Sequence, residues 1–185
     1  MTRNALSTLL LALLAAAYLP PALAGELQLS IAIPRQDAAE YHRPYVAAWI
    51  ERQDGSVAAQ LLVWYQQDKP KARKGEKTAP GEDGRKWLPD LRQWWRRIGR
   101  QIETPADAVA GATRPPASHR LRFEHDHPAL VDLEAADYQL VVEAVREVGG
   151  RELLKIPFHW PPAATKAHSA EGKTELGTVE LTLSP

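Results

Sequence analysis

Seven stretches of the chain alternate apolar and polar residues with a period of two, and turn-forming residues separate them. In Glu26 to Ile33, Leu27, Leu29, Ile31 and Ile33 share one face, and Pro34 closes the run. Tyr45 to Arg52 and Ser56 to Tyr65 predict a hairpin around Gln53-Asp54-Gly55, where Asp-Gly supplies the positive φ of a tight turn. Arg120 to Glu124 is a fourth strand. Tyr138 to Glu147 is a fifth, its apolar weight carried by Leu140, Val142, Ala144 and Val145. Gly149-Gly150 then turns the chain tightly into Glu152 to Trp160. After the polar stretch Pro161 to Lys173, Glu175 to Leu183 alternates again and is expected to end the domain as an edge strand.

Two segments break this pattern. Residues 69–85 are rich in Lys, Gly, Pro and Glu with few apolar side chains, a composition that cannot support packing and predicts a mobile surface loop. A helix over residues 88–98 follows: Pro89 suits its first turn, and Gly99 suits its end. Trp87, Leu91, Trp94, Trp95 and Ile98 fall at helical spacing on one face, with Arg92, Arg96, Arg97 and Arg100 on the other. Together the elements predict an all-β fold, an immunoglobulin-like β-sandwich of about seven strands with one inserted helix. Residues 25–185 form a single domain, enough chain to bury a core.

The first 24 residues stand apart. Arg3 is a positive n-region, Leu9 to Leu19 an apolar run, and Ala22-Leu23-Ala24 a small-residue cleavage site, so residues 1–24 read as a secretory signal peptide cleaved before Gly25. The run is shorter than the ~20 residues of a spanning helix, and Pro20-Pro21 breaks it. No later segment is apolar enough to span a bilayer, which predicts a soluble exported protein that is not membrane-embedded. The chain has no cysteine, which excludes disulfides, thiol ligands, cysteine nucleophiles and thiol redox chemistry. Lys+Arg and Asp+Glu balance at 23 each, so nothing points to nucleic acid as a partner.

The segment Asp107-Ala108-Val109-Ala110-Gly111-Ala112-Thr113-Arg114 carries the most specific chemistry. It resembles the acceptor motif of periplasmic FAD:protein FMN transferases: an Asp, two variable residues, Ser or Thr, then Gly-Ala-Thr or Gly-Ala-Ser. The resemblance implies covalent FMN, joined by a phosphoester bond to Thr113, with Asp107, Gly111 and Ala112 as the matching determinants. This sequence departs from the pattern at Ala110, where Ser or Thr is usual. The small residues Gly111 and Ala112 keep the approach of an activated phosphate free of bulk, and Arg114 suits a phosphate partner. A flavin ring also needs an aromatic surface, and the Trp-rich helix supplies Trp94 or Trp95 as that shelf. The alternative is a loop in which Gly111 makes a turn and Thr113 leads into a strand.

The phrases YHRPYVAAWIER, KWLPDLRQWWRR, DAVAGATRPP and YQLVVEAVREVGGRE are similar to those of the DUF2271 family of predicted periplasmic proteins, over nearly the whole chain beyond the signal. That resemblance implies a fold and a compartment without an established activity. It also implies the company of FMN transferases and PepSY-type membrane reductases, in envelope electron transfer or iron assimilation. The protein would then be the transferase's substrate and an electron carrier rather than an enzyme.

Two other readings stay open. His125 and His127 flank Asp126, and residues two apart on a strand face the same side, so the pair could chelate a transition metal; Pro128 ends the strand and no third ligand is identified. The protein could also be a cofactor-free immunoglobulin-like binding or assembly module of the envelope. Glu143, Arg146, Glu147, Arg151 and Glu152, around the Gly-Gly turn, are expected to form cross-strand ion pairs on the solvent face. No Ser-His-Asp order, P-loop or dinucleotide fingerprint is present.

Overall fold

The computed structural model describes residues 25–37, 40–67, 84–102 and 105–185. Residues 1–24, expected as a signal peptide, and almost all of the expected 69–85 loop lie outside the described residues. Of that loop only Gly84 and Arg85 are described, and they begin a 3₁₀ turn.

All seven predicted stretches are strands, and two more join them. In chain order they are β1 (Glu26–Ile33), β2 (Tyr45–Arg52), β3 (Val57–Tyr65), β4 (Ala110–Ala112), β5 (Ala117–Phe123), β6 (Ala136–Val145), β7 (Arg151–Trp160), β8 (Lys166–Glu171) and β9 (Thr178–Ser184). One sheet runs β5-β1-β9-β8 and the other β4-β3-β2-β6-β7. The fold is the expected all-β, immunoglobulin-like sandwich with a small helical insertion. Every strand pair is antiparallel except β3 with β4.

The two added strands escaped the periodicity for a physical reason. β4 is three residues of Ala and Gly, too short to alternate, and β8 reads KAHSAE because an edge strand with one solvated face needs little apolar content. β8 also corrects the place of the last strand. β9 is not an edge; it lies between β1 and β8, and β8 and β5 form the edges of that sheet.

Between the sheets lies the main core, built from Leu27, Leu29, Ile31 and Ile33 of β1, Val46, Ala48 and Ile50 of β2, Tyr138, Leu140 and Val142 of β6, and Val179, Leu181 and Leu183 of β9. A second core sits on the outer face of the five-stranded sheet, where Ala47, Trp49, Val63, Tyr65 and Val141 meet Leu88, Leu91 and Trp94 of the insertion. β2 and β6 are therefore buried on both faces, which is why YVAAWI reads as a continuous apolar run.

The insertion is not one helix over 88–98. It is a 3₁₀ turn (Gly84–Asp90), a six-residue helix α1 (Arg92–Arg97) and a second 3₁₀ turn (Gly99–Gln101). Leu91, at φ −71° and ψ 71°, leaves helical space and separates the first two pieces. The three-residue period of the 3₁₀ turn rotates Trp87 off the buried face, leaving it 42% exposed. At Gly99 a Cβ would stand 2.5 Å from the rings of Trp94 and Trp95, so this glycine lets the helix end pack closely.

Glu143 fastens α1 to the sheet. Its carboxylate is wholly buried and accepts the backbone N–H of Gln93 (3.0 Å) and Trp94 (2.7 Å), donors that the helix start leaves unpaired, and Arg151 donates to it from the side. Glu51 does the same work nearby: it accepts Trp49 Nε1 and Lys155 Nζ, both at 3.0 Å, and pairs with Arg97 at 3.6 Å. Glu143 is thus no solvent-face charge, because the insertion covers the face on which it sits.

Candidate functional site

One end of the five-stranded sheet opens into a cleft of about 630 Å³. Antiparallel pairing brings the start of β2 and the end of β6 to this end, with Tyr45 opposite Val145. β3 also ends here, and β4, parallel to it, delivers Thr113 beside them. The 3₁₀ turn adds Trp87 and Asp90, and Tyr45 Oη anchors that turn by donating to the Gly84 carbonyl at 3.1 Å. The remaining wall is Tyr41, His42 and Arg43, which lead into β2, and Arg146, Glu147 and Val148, which leave β6.

Thr113 is held by its backbone. The β4 register sets Gly111 against Trp64 and Ala112 against Tyr65, and the Thr113 N–H donates to the Tyr65 carbonyl at 3.2 Å. Its side chain is half-buried and faces the cleft. Gly111 lies within the strand rather than in a turn, and Thr113 leaves the strand instead of leading into it. A Cβ on Gly111 would come within 2.9 Å of Trp64 Cδ1. Asp107 and Ala112 are exposed, Asp107 in the turn before β4, and Arg114 lies over the Trp64 ring at 5.4 Å. His119 meets the same ring edge-on at 5.6 Å.

Trp94 and Trp95, expected as an aromatic shelf, do not line this cleft. Trp94 is wholly buried in the second core, and Trp95 is half-buried, packed at a tilt 6.3 Å from it, so neither lines the cleft. The exposed tryptophan at the cleft is Trp87, with Lys86 Nζ 4.6 Å from its ring centroid.

The histidine pair is separated in role. His125 is exposed in a turn, whereas His127 Nδ1 accepts the Ala129 N–H at 3.1 Å and its ring stands edge-on to Phe123 at 4.9 Å. Both follow the end of β5, so they do not share a strand face. Among the described residues no three His, Asp or Glu side chains converge as metal ligands.

Charge around the cleft is largely paired. Arg146 grips the buried Glu175 through two nitrogens at 2.8 and 3.2 Å, and Glu175 also accepts the Gly150 N–H at 2.7 Å. His42 stands between Glu147 (3.4 Å) and Glu40 (3.3 Å). The Tyr41 hydroxyl is shut off from solvent and has no hydrogen-bond partner among the described residues. Burial raises its pKa; Arg146 and Arg43 pull it down, while Glu175 pushes it up.

Val148 has an unusual backbone. The Gly149-Gly150 pair was expected to carry the tight turn, yet the residue at positive φ is Val148, at +55° and 88% exposed on the cleft rim. A β-branched side chain strains in that region. Most of these cleft residues carry no motif; only Thr113 does. The signal that could have found them is the clustering of YHRPY before one strand and REVGG after its antiparallel partner.

A family model described as predicted periplasmic protein (DUF2271) matches residues 26–178. No curated protein and no solved structure matches the chain. Among the described residues no helix is long and apolar enough to cross a membrane.

Proposed function

The chain belongs to the DUF2271 family of predicted periplasmic proteins, and from that premise we propose that it is a periplasmic electron carrier bearing FMN on Thr113. The observation that supports this reading is the position of Thr113: half-buried, pinned by β3, and on the wall of a cleft of about 630 Å³. Ligand clefts span about 300–1,000 Å³, so the volume suits a flavin. The lining suits it too, with an exposed tryptophan for a planar ring and Arg43 for phosphate or ring oxygens, while Arg114 follows Thr113 in the chain but lies over Trp64 and does not line the cleft.

In the attachment step the Thr113 hydroxyl oxygen attacks the FMN-side phosphorus of FAD. A phosphoester bond forms, the pyrophosphate bond breaks, AMP leaves, and the hydroxyl proton passes to base on the transferase or to water. Bound flavin supplies the electron-transfer chemistry that a chain without cysteine lacks. The chain's own part is to present Thr113 and to shape the cleft. A PepSY-type membrane reductase is the proposed electron donor, in a system for envelope redox transfer or iron assimilation.

The competing reading, a cofactor-free binding module of the envelope, draws on Gly111, whose smallness the Trp64 ring already requires. Intact mass after co-expression with an FAD:protein FMN transferase in an exporting host separates the two. An FMN-phosphoryl adduct that disappears in Thr113→Ala supports the carrier. An unmodified mass, under conditions that flavinylate a control acceptor, sinks it.

A further inference from the structure

We infer that the cleft is the seat of the flavin ring itself, with Trp87 as its stacking face and the Tyr41 hydroxyl as its polar anchor. This rests on the attachment reading for the identity of the ligand. Four features converge there.

The first is Trp87. Trp49, Trp64, Trp94 and Trp160 are buried and Trp95 is half-buried, whereas Trp87 is outside both apolar clusters and faces the cleft. A large aromatic left 42% exposed on a concave surface fits a planar partner. The second is Tyr41. A solvent-excluded hydroxyl almost always finds a partner, and this one has none among the described residues. The polar edge of an isoalloxazine carries both N–H and C=O groups, so a phenol can pair with it in either direction.

The third is Val148, an exposed β-branched residue held at φ +55° on the rim. Backbone strain of this kind gathers at ligand clamps. The fourth is charge: Glu175 neutralises Arg146, while Arg43 remains exposed on the wall for an anionic group. Trp87, Tyr41 and Val148 come from three separate segments, and Thr113 approaches on a fourth. A flavin tethered at Thr113 therefore meets a preformed slot.

Two measurements test the seat. In the flavinylated protein, flavin emission is expected to be quenched relative to free FMN. Trp87→Leu should raise it several-fold with the mass adduct retained, Trp87→Tyr should restore most of the quenching, and Val131→Ser, a surface control, should change nothing. In the unmodified Thr113→Ala protein, titration with free FMN should give a Kd about tenfold weaker for Trp87→Leu and for Tyr41→Phe. Tyr41→Phe should at the same time raise Tm, because it removes a solvent-excluded hydroxyl with no partner among the described residues; a purely structural role would lower Tm and leave the Kd unchanged. An adduct whose emission ignores Trp87 overturns the seat and leaves attachment standing. No adduct, together with free FMN binding that depends on Trp87 and Tyr41, keeps the seat and removes attachment. No adduct and no FMN binding removes both.

Discussion

Gly111 serves a packing demand that the acceptor motif alone does not reveal. In the strand pairing it lies opposite Trp64, with no room for a side chain. Gly111→Val is expected to cost about 2 kcal/mol, read as a lower denaturant midpoint, because the buried Trp64 must shift to admit the new atoms. Val148 illustrates the opposite case, a side chain too large for its backbone. Val148→Asn should stabilise the fold by about 1 kcal/mol, since Asn tolerates the left-handed region that strains Val. A thermal melt that moves down instead would show that the Val side chain contributes more than its backbone costs. Neither residue's situation was legible in the sequence. Gly149 and Gly150 are the obvious carriers of a positive φ, yet Val148 has it, while the two glycines lie close against the Arg146 and Glu175 side chains.

The inserted helix is the element whose existence the sequence predicted and whose form it did not. Apolar spacing located Leu91 and Trp94 on the buried face. The breaks at Leu91 and Gly99 come from tertiary demands: Glu143 captures the N–H groups of Gln93 and Trp94, and two indole rings crowd Gly99. Six helical residues are too few to hold together alone. Glu143→Ala should therefore cost about 3 kcal/mol and release the insertion, because it leaves two backbone donors and Arg151 without their acceptor. Near-ultraviolet dichroism of the Trp94 environment reports this. A spectrum and stability like the wild type would mean that the second core holds α1 without the carboxylate. The cleft would feel the loss as well, since Trp87 and Asp90 belong to the same insertion.

At the scale of the whole molecule, two carboxylates clasp the sheets together beside the cleft. Glu152, at the start of β7, accepts the N–H groups of Lys173 (2.6 Å), Thr174 (3.0 Å) and Leu176 (2.9 Å) in the segment leading to β9. Glu175 of that segment holds Arg146 at the end of β6. Burial alone would raise the pKa of Glu152, but these donors and the Thr174 hydroxyl outweigh it and hold the group below its ordinary value of 4.5. Its contribution is therefore complete above pH 4.5 and is lost as pH falls through the lower folded-state value. Glu152→Gln should lower Tm at neutral pH and flatten the acid-side decline; an unchanged acid profile would exclude Glu152 as its source. The sequence by itself determined the strand stretches, the hairpin at Asp54-Gly55, the presence of a helical interruption and the family, because each is written in residues close along the chain or in local motifs. Only the tertiary structure decided that Glu143 is buried, that Trp94 is core while Trp87 is open, that β9 is interior, and that Thr113 meets Tyr41 and Val148 across a cleft. Those outcomes depend on which strands pair and which faces are covered, and such long-range packing has no period along the chain.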